Sequence, residues 1–185
     1  FGLVRREGAS KGLSFPAALS VPYLEFVRGG YGALATQARD NRIGVYVGRN
    51  KNGGVDAVGT IAEFGTKGDR FSASLQIGAL QELSTVLGST TQGAFQSQKG
   101  TTTEFAGISG AIHLSPRIDF LASVYAGLSH PSPAEGSIFT GFSTIESRSA
   151  SLGIVGRGAL NDADKWGLIA SQPLRVTRGT ASLSL

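Results

Sequence analysis

The chain has 185 residues, with 17 Lys and Arg against 13 Asp and Glu, 27 Gly, no Cys and no Met. A chain of that length bounds one domain able to bury about two thirds of its unfolded surface, and its 16% charged content lies well below the roughly 25% of globular chains, so part of the surface is expected to face something other than water. No apolar run approaches the roughly 18 to 20 residues of a membrane-crossing helix, and the +4 net charge is scattered singly with Arg5-Arg6 as the adjacent pair, which argues against a nucleic-acid interface.

Two classes remain: a membrane β-barrel and a glycine-rich soluble β protein. The absence of Cys suits a protein that crosses an oxidising compartment without stray disulfides, and chance explains it equally well. Phe1 stands where a Met would begin a complete chain, and no leader with a charged start and apolar middle precedes it. The chain is therefore expected to be a piece of a longer protein.

Residues 1–25 carry Pro16 and Pro22 among small residues and show no sustained period; they read as a linker or irregular entry with room for one short strand. Residues 26–185 read as one antiparallel β domain. From Tyr31 onward the period is two, interrupted by turn-forming clusters at 39–41, 49–54, 66–69, 115–117 and 161–165. Tyr31 to Ala38 is a weak strand, followed by strands carrying Ile43, Val45 and Val47, then Val58, Thr60, Ala62 and Phe64.

Phe71 to Leu80 alternates most cleanly, with Phe71, Leu75 and Ile77 on one face and Ser72, Ser74 and Gln76 on the other. Thr103 to Leu114 sets Ala106, Ile108 and Ile112 against Gly107, Ser109 and His113. Ile118 to Leu128 sets Phe120 and Val124 against Asp119 and Tyr125, and Arg148 to Leu160 sets Leu152 and Ile154 against Ser149 and Arg157. These runs match the roughly 9 to 11 residues of a tilted bilayer-spanning strand. Trp166 to Gln172 and Arg175 to Leu185, on either side of a Ser-Gln-Pro-Leu-Arg-Val turn, bring the expected strands to nine. The connections 80–102 and 129–147 are longer and polar, and Gln81 to Leu87 could form a helical turn.

In lipid an open sheet edge leaves backbone groups unsatisfied at several kcal/mol each, so a membrane reading calls for an up-and-down barrel. Single-chain bacterial barrels have even strand numbers, so nine strands imply either one misassigned segment or, the favoured reading, a fragment missing further strands. Phe71, Leu75, Ile77, Phe120, Val124, Leu152 and Ile154 are then the lipid-facing candidates, with Asp119, Tyr125 and Arg157 as lumen candidates. Aromatics such as Tyr46, Phe64, Phe71, Phe105, Phe120 and Trp166 are candidates for the membrane borders.

Signs of chemistry are few. Nucleophilic serine catalysis needs a His base oriented by a carboxylate, and the two histidines, His113 on a strand and His130 before Pro131, have no such context in the sequence. Asn161-Asp162-Ala163-Asp164 lacks the Gly and distal Glu of a calcium loop, and no glycine pattern matches a phosphate cradle. No catalytic residue, cofactor or metal is expected.

Ser171-Gln172-Pro173-Leu174-Arg175-Val176, followed by Gly179 to Leu185 (GTASLSL), resembles the most recognisable block of the C-terminal autotransporter-type β-barrel domain of subtilisin-like serine peptidases from Gram-negative bacteria. Val21-Pro22-Tyr23-Leu24, Leu87 to Phe95 and Leu114 to Arg117 are similar to further pieces of that family in the same order. The resemblance covers residues 21–185. It implies a barrel in the outer membrane that anchors or translocates a passenger peptidase, with membrane lipid, the passenger or its linker, and other envelope proteins as partners and no nucleic acid. The peptidase signatures themselves (Asp-Thr-Gly, His-Gly-Thr, Gly-Thr-Ser) are missing from this chain. Family barrels usually have twelve strands and end on an aromatic residue, whereas Leu185 directly follows the block. Two rivals stand beside this reading: a soluble antiparallel β module of an envelope or surface assembly, and a cleaved piece that stays with its protease and completes it.

Overall fold

The computed structural model describes residues 2–6, 21–23, 31–50, 56–83, 85–90, 100–133, 135, 137–158 and 164–184. In chain order the strands are β1 (Gly2–Arg6), β2 (Tyr31–Ala38), β3 (Asn41–Asn50), β4 (Ala57–Lys67), β5 (Phe71–Glu82), β6 (Thr85–Val86) and β7 (Ser89–Thr90). They continue as β8 (Gly100–Ser115), β9 (Ile118–Ser132), β10 (Phe139–Phe142), β11 (Ile145–Arg157), β12 (Lys165–Arg178) and β13 (Ala181–Leu183). The protein is all-β. Nine strands form one antiparallel sheet in the order β1-β2-β3-β4-β5-β8-β9-β11-β12, while β10 pairs with β13 and β6 with β7. No helix among the described residues is long and apolar enough to cross a membrane, a fact that bears only on helices.

The two ends of the sheet differ. At one end the strands join through Arg39-Asp40, Gly68 to Arg70, Pro116-Arg117 and the longer 158–164; at the other 51–56 is of similar length, and the connections 83–99 and 133–144 are long. Pairing at the short end is tight, with Ala38 opposite Asn41, Lys67 opposite Ser72 and Ser115 opposite Ile118. Because every neighbour is antiparallel and the order follows the chain, β1 and β12, the two edges, run in the same direction.

Alternation produces two unlike faces. On β3, β4, β5, β8 and β9 successive side chains switch between buried and exposed, as the period of a strand requires. With no second large sheet over it among the described residues, the nine-stranded sheet buries a face by curling around it. The concave face is accordingly filled by its own side chains: Tyr46, Ile61, Leu80, Phe105 and Tyr125 form its apolar cluster together with Val21 and Tyr23. Ala33 of β2 and Leu174 of β12 both pack against that cluster, so strands near opposite edges of the sheet reach the same interior.

In three places the structure departs from the sequence expectation or decides what the sequence left open. The Ser171 to Val176 block is strand, not turn: β12 runs through it to Arg178, and the rest of the expected Arg175 to Leu185 strand is the separate β13. Register steps from Arg148↔Arg175 to Ala150↔Gln172, leaving Pro173 and Leu174 opposite Ser149 in a β-bulge. Proline has no N–H to give the ladder, and a bulge is where a strand tolerates it; Ser149 Oγ donates to Gln172 O at 3.2 Å in this gap. Second, the entry segment supplies β1 at the sheet edge and two fully buried side chains, Val21 and Tyr23. Third, 81–87 holds no helical turn among its described residues: β5 runs to Glu82, and β6 and β7 form a minute hairpin through Leu87 and Gly88, both at positive φ (48° and 75°). Two positive φ values are what a tight hairpin turn demands. Asn161 to Ala163, Leu160 and the 91–95 part of the family-like loop lie outside the described residues.

Candidate functional site

The candidate site is the pair of faces. Among the described residues more polar or charged side chains are buried than apolar ones, thirteen against ten, while Leu75, Ile77, Ile108 and Val124 stand 52–57% exposed. A water-soluble fold has the opposite bias.

On the convex face, ladder partners carry aliphatic side chains from strand to strand. One row runs Ile43, Phe64, Leu75, Ile108, Val124 and Ala150, and another joins Phe71, Ile112, Phe120, Ile154 and Leu168. Six of the seven residues expected to face lipid are exposed here: Phe71, Leu75, Ile77, Val124, Leu152 and Ile154. Phe120 shares the face and is half-buried. The apolar stretch does not follow the ladder rows. The row through Val45, central in the apolar part of β3, passes Ala62, Ile77, Ala106 and Ala126 and arrives at Arg148 and Arg175. There the apolar stretch lies further toward the short-turn end, around Leu152 and Leu168. Across the sheet the band therefore slips by about one residue per strand. With residues about 3.4 Å apart along strands and strands about 4.8 Å apart, that slip corresponds to a tilt of about 35° between strands and the normal to the band. Phe71 to Ala79 covers about 27 Å along β5, or about 22 Å after that tilt.

Aromatic side chains divide between the faces. Phe64, Phe71 and Trp166 are exposed on the convex side, and Phe71 and Trp166 sit at the short-turn ends of their strands. Tyr46 and Phe105 are instead buried on the concave side, because their positions are odd in the alternation of β3 and β8 relative to the outward rows; these two are not border residues.

The concave face holds connected polar groups. Gln76 Nε2 donates to Glu63 Oε2 (3.0 Å) and Ser74 Oγ (2.9 Å), Ser74 and Ser109 hydroxyls pair at 3.0 Å, and Tyr125 OH donates to Gln76 Oε1 at 2.5 Å. Tyr125 on β9 thus reaches over β8 to β5. Only a glycine beneath allows this, since a Cβ on Gly107 would collide with the ring. Tyr23 repeats the device: it stacks on Phe105 with centroids 4.4 Å apart, bonds Ser147 Oγ at 2.9 Å, and lies so close over Gly127 that a Cβ there would come within 2.5 Å of its hydroxyl. Burial pushes the Tyr23 phenol above its usual range, with the Ser147 hydrogen bond opposing. At the long-loop end the buried Glu82 carboxylate accepts from Thr85 Oγ1 (2.6 Å), Leu87 N and Gly88 N (2.8 Å each), closing the β6–β7 turn.

The expected lumen residues separate. Tyr125 is fully buried in the network. Asp119 is partly buried at the short-turn end, where its carboxylate meets His113 Nδ1 at 2.5 Å and Arg157 at 3.8 Å, and Arg157 itself is mostly exposed. His113 and Asp119 form a base–carboxylate pair that sequence spacing concealed, since they meet across the β8–β9 hairpin. Among the described residues, no Ser or Thr hydroxyl hydrogen-bonds to His113. His130 lies 3.4 Å from Thr144 Oγ1, and no group of three metal-ligating side chains occurs among the described residues. Of the family-like block, Leu174 turns inward to the apolar cluster and the other five side chains are exposed. No protein-family model, curated protein or solved structure matches the chain.

Proposed function

We propose that this domain is the wall of an outer-membrane β-barrel that anchors and translocates a subtilisin-type passenger peptidase in a Gram-negative bacterium, with no bond chemistry of its own. The observation that carries the membrane part is the inversion of the faces: aliphatic rows outward, serines, threonines, Gln76 and Glu63 inward. Three features support it. The band tilts by about 35°, at the lower edge of the 35–45° of membrane barrels. Its height approaches the roughly 25 Å apolar belt of such proteins, and short turns at one end oppose long connections at the other.

Lipid-facing rows would hold the domain by the hydrophobic effect, and the polar interior would let a hydrated segment pass or rest. Closure follows a parity rule. With β1 and β12 parallel, an antiparallel ring needs one further strand between them, or the departure of β1 so that β2 meets β12. The passenger and its peptidase character rest on the resemblance of Ser171 to Val176 and Gly179 to Leu185.

The test is migration on a gel with and without heating, after extraction. A membrane barrel requires detergent and migrates differently when boiled. A heat-insensitive monomer that stays soluble in plain buffer refutes the reading and favours the soluble envelope module.

A further inference from the structure

On the convex face, at the long-loop border of the apolar band, Arg148 of β11 and Arg175 of β12 are directly opposed in the ladder. Both side chains are exposed, and neither has a hydrogen-bond or ion-pair partner among the described residues, whereas neighbouring Arg178 pairs with Glu146 at 3.4 Å. Like charges directly opposite across strands destabilise a sheet, unless an anion lies between them. Two guanidinium forks side by side are well suited to the several oxygens of a phosphate.

The same ladder row continues as Ala126 and Ala106. These two small residues leave a groove of about 540 Å³, lined by Glu104, Ala106, Ala126, Leu128, Glu146 and Arg148. Ile108 and Val124 stand two positions along the same face from Ala106 and Ala126, and Arg148 lines the groove. A groove lined by alanine methyls and Arg148, with Arg175 opposite Arg148 in the ladder, has the two-part chemistry of an acyl chain and a phosphate headgroup. Glu104 and Glu146 occupy the next row outward, so the phosphate is directed to the Arg148–Arg175 side, where positive charge exceeds negative.

The geometry points to a specific lipid site: Arg148 and Arg175 hold the phosphate of a membrane lipid whose acyl chain lies along Ala126 and Ala106. This rests on the membrane reading above.

Purified chain in detergent, offered phosphatidic acid, diacylglycerol or glycerol 3-phosphate and examined by native mass spectrometry, tests it. Phosphatidic acid should be retained at least about 10-fold more strongly than either of the others, each of which has only half of the ligand. Arg148→Gln with Arg175→Gln should abolish that preference, Lys at both positions should restore part of it, and Ala126→Leu should reduce it by filling the groove. Arg49→Gln, which removes a border cation already paired with Asp56, should stay within twofold of the parent. Retention unaffected by the double Gln variant overturns the site, as does equal retention of diacylglycerol. Tight binding of glycerol 3-phosphate alone makes it a soluble-anion site and overturns the lipid assignment. A chain that needs detergent but ignores the arginines fails only this proposal; one that is soluble and monomeric without detergent fails both.

Discussion

Val124→Arg separates a lipid-facing sheet from a water-facing one. Val124 is 56% exposed in the middle of the apolar stretch of β9, with Ile108 and Ala150 as its ladder neighbours on either side. An arginine there keeps its strand geometry and meets no buried partner, so in water the substitution should change stability by no more than about 0.5 kcal/mol. At the midplane of a bilayer the same change costs about 2–4 kcal/mol, which is about a 30- to 1,000-fold shift in the folding equilibrium. Thr102→Arg, exposed on the same face of β8 beyond Glu104, lies at the border, where the cost falls to about 0–1 kcal/mol. The assay is equilibrium denaturant unfolding of the chain folded into phospholipid vesicles, with the two variants compared at equal protein-to-lipid ratio. The expected result is a large loss for Val124→Arg and little for Thr102→Arg. Equal, small effects at the two depths would refute the claim that the convex rows meet hydrocarbon.

The concave face makes its own predictions. Tyr125→Phe leaves buried Gln76 Oε1 without its donor, an expected loss of about 1–3 kcal/mol measured as a shift in unfolding midpoint. Gly107→Val should cost at least about 1–3 kcal/mol through collision with the Tyr125 ring, and adding Tyr125→Ala should recover part of that loss; a strictly additive double variant would place the ring elsewhere. Glu82→Ala removes the acceptor of three hydrogen bonds, and hydrogen exchange at Leu87 and Gly88 should accelerate by one to three orders of magnitude, at about 1.4 kcal/mol per tenfold. Unchanged exchange there would mean that the two positive φ values, not the carboxylate, hold the turn.

The alternation of the chain already determined much of this protein. Phe71, Leu75 and Ile77 fall on one face, and Ser72, Ser74 and Gln76 on the other, because strand geometry permits nothing else, and the long runs of β8, β9 and β11 were legible for the same reason. Tertiary structure decided what alternation leaves open. Register is set by which neighbours meet, so the opposition of Arg148 to Arg175, the His113–Asp119 contact and the slip of the apolar band appear only once strands are paired. Curling buries one face and not the other, which is why Tyr46 and Phe105 proved to be interior residues and why Tyr23, in a segment without any period, sits stacked among them. Pro173 looked like a turn because proline usually ends a ladder. A bulge opposite Ser149 absorbs it instead, and a bulge belongs to two strands at once, so a single strand's sequence does not specify it.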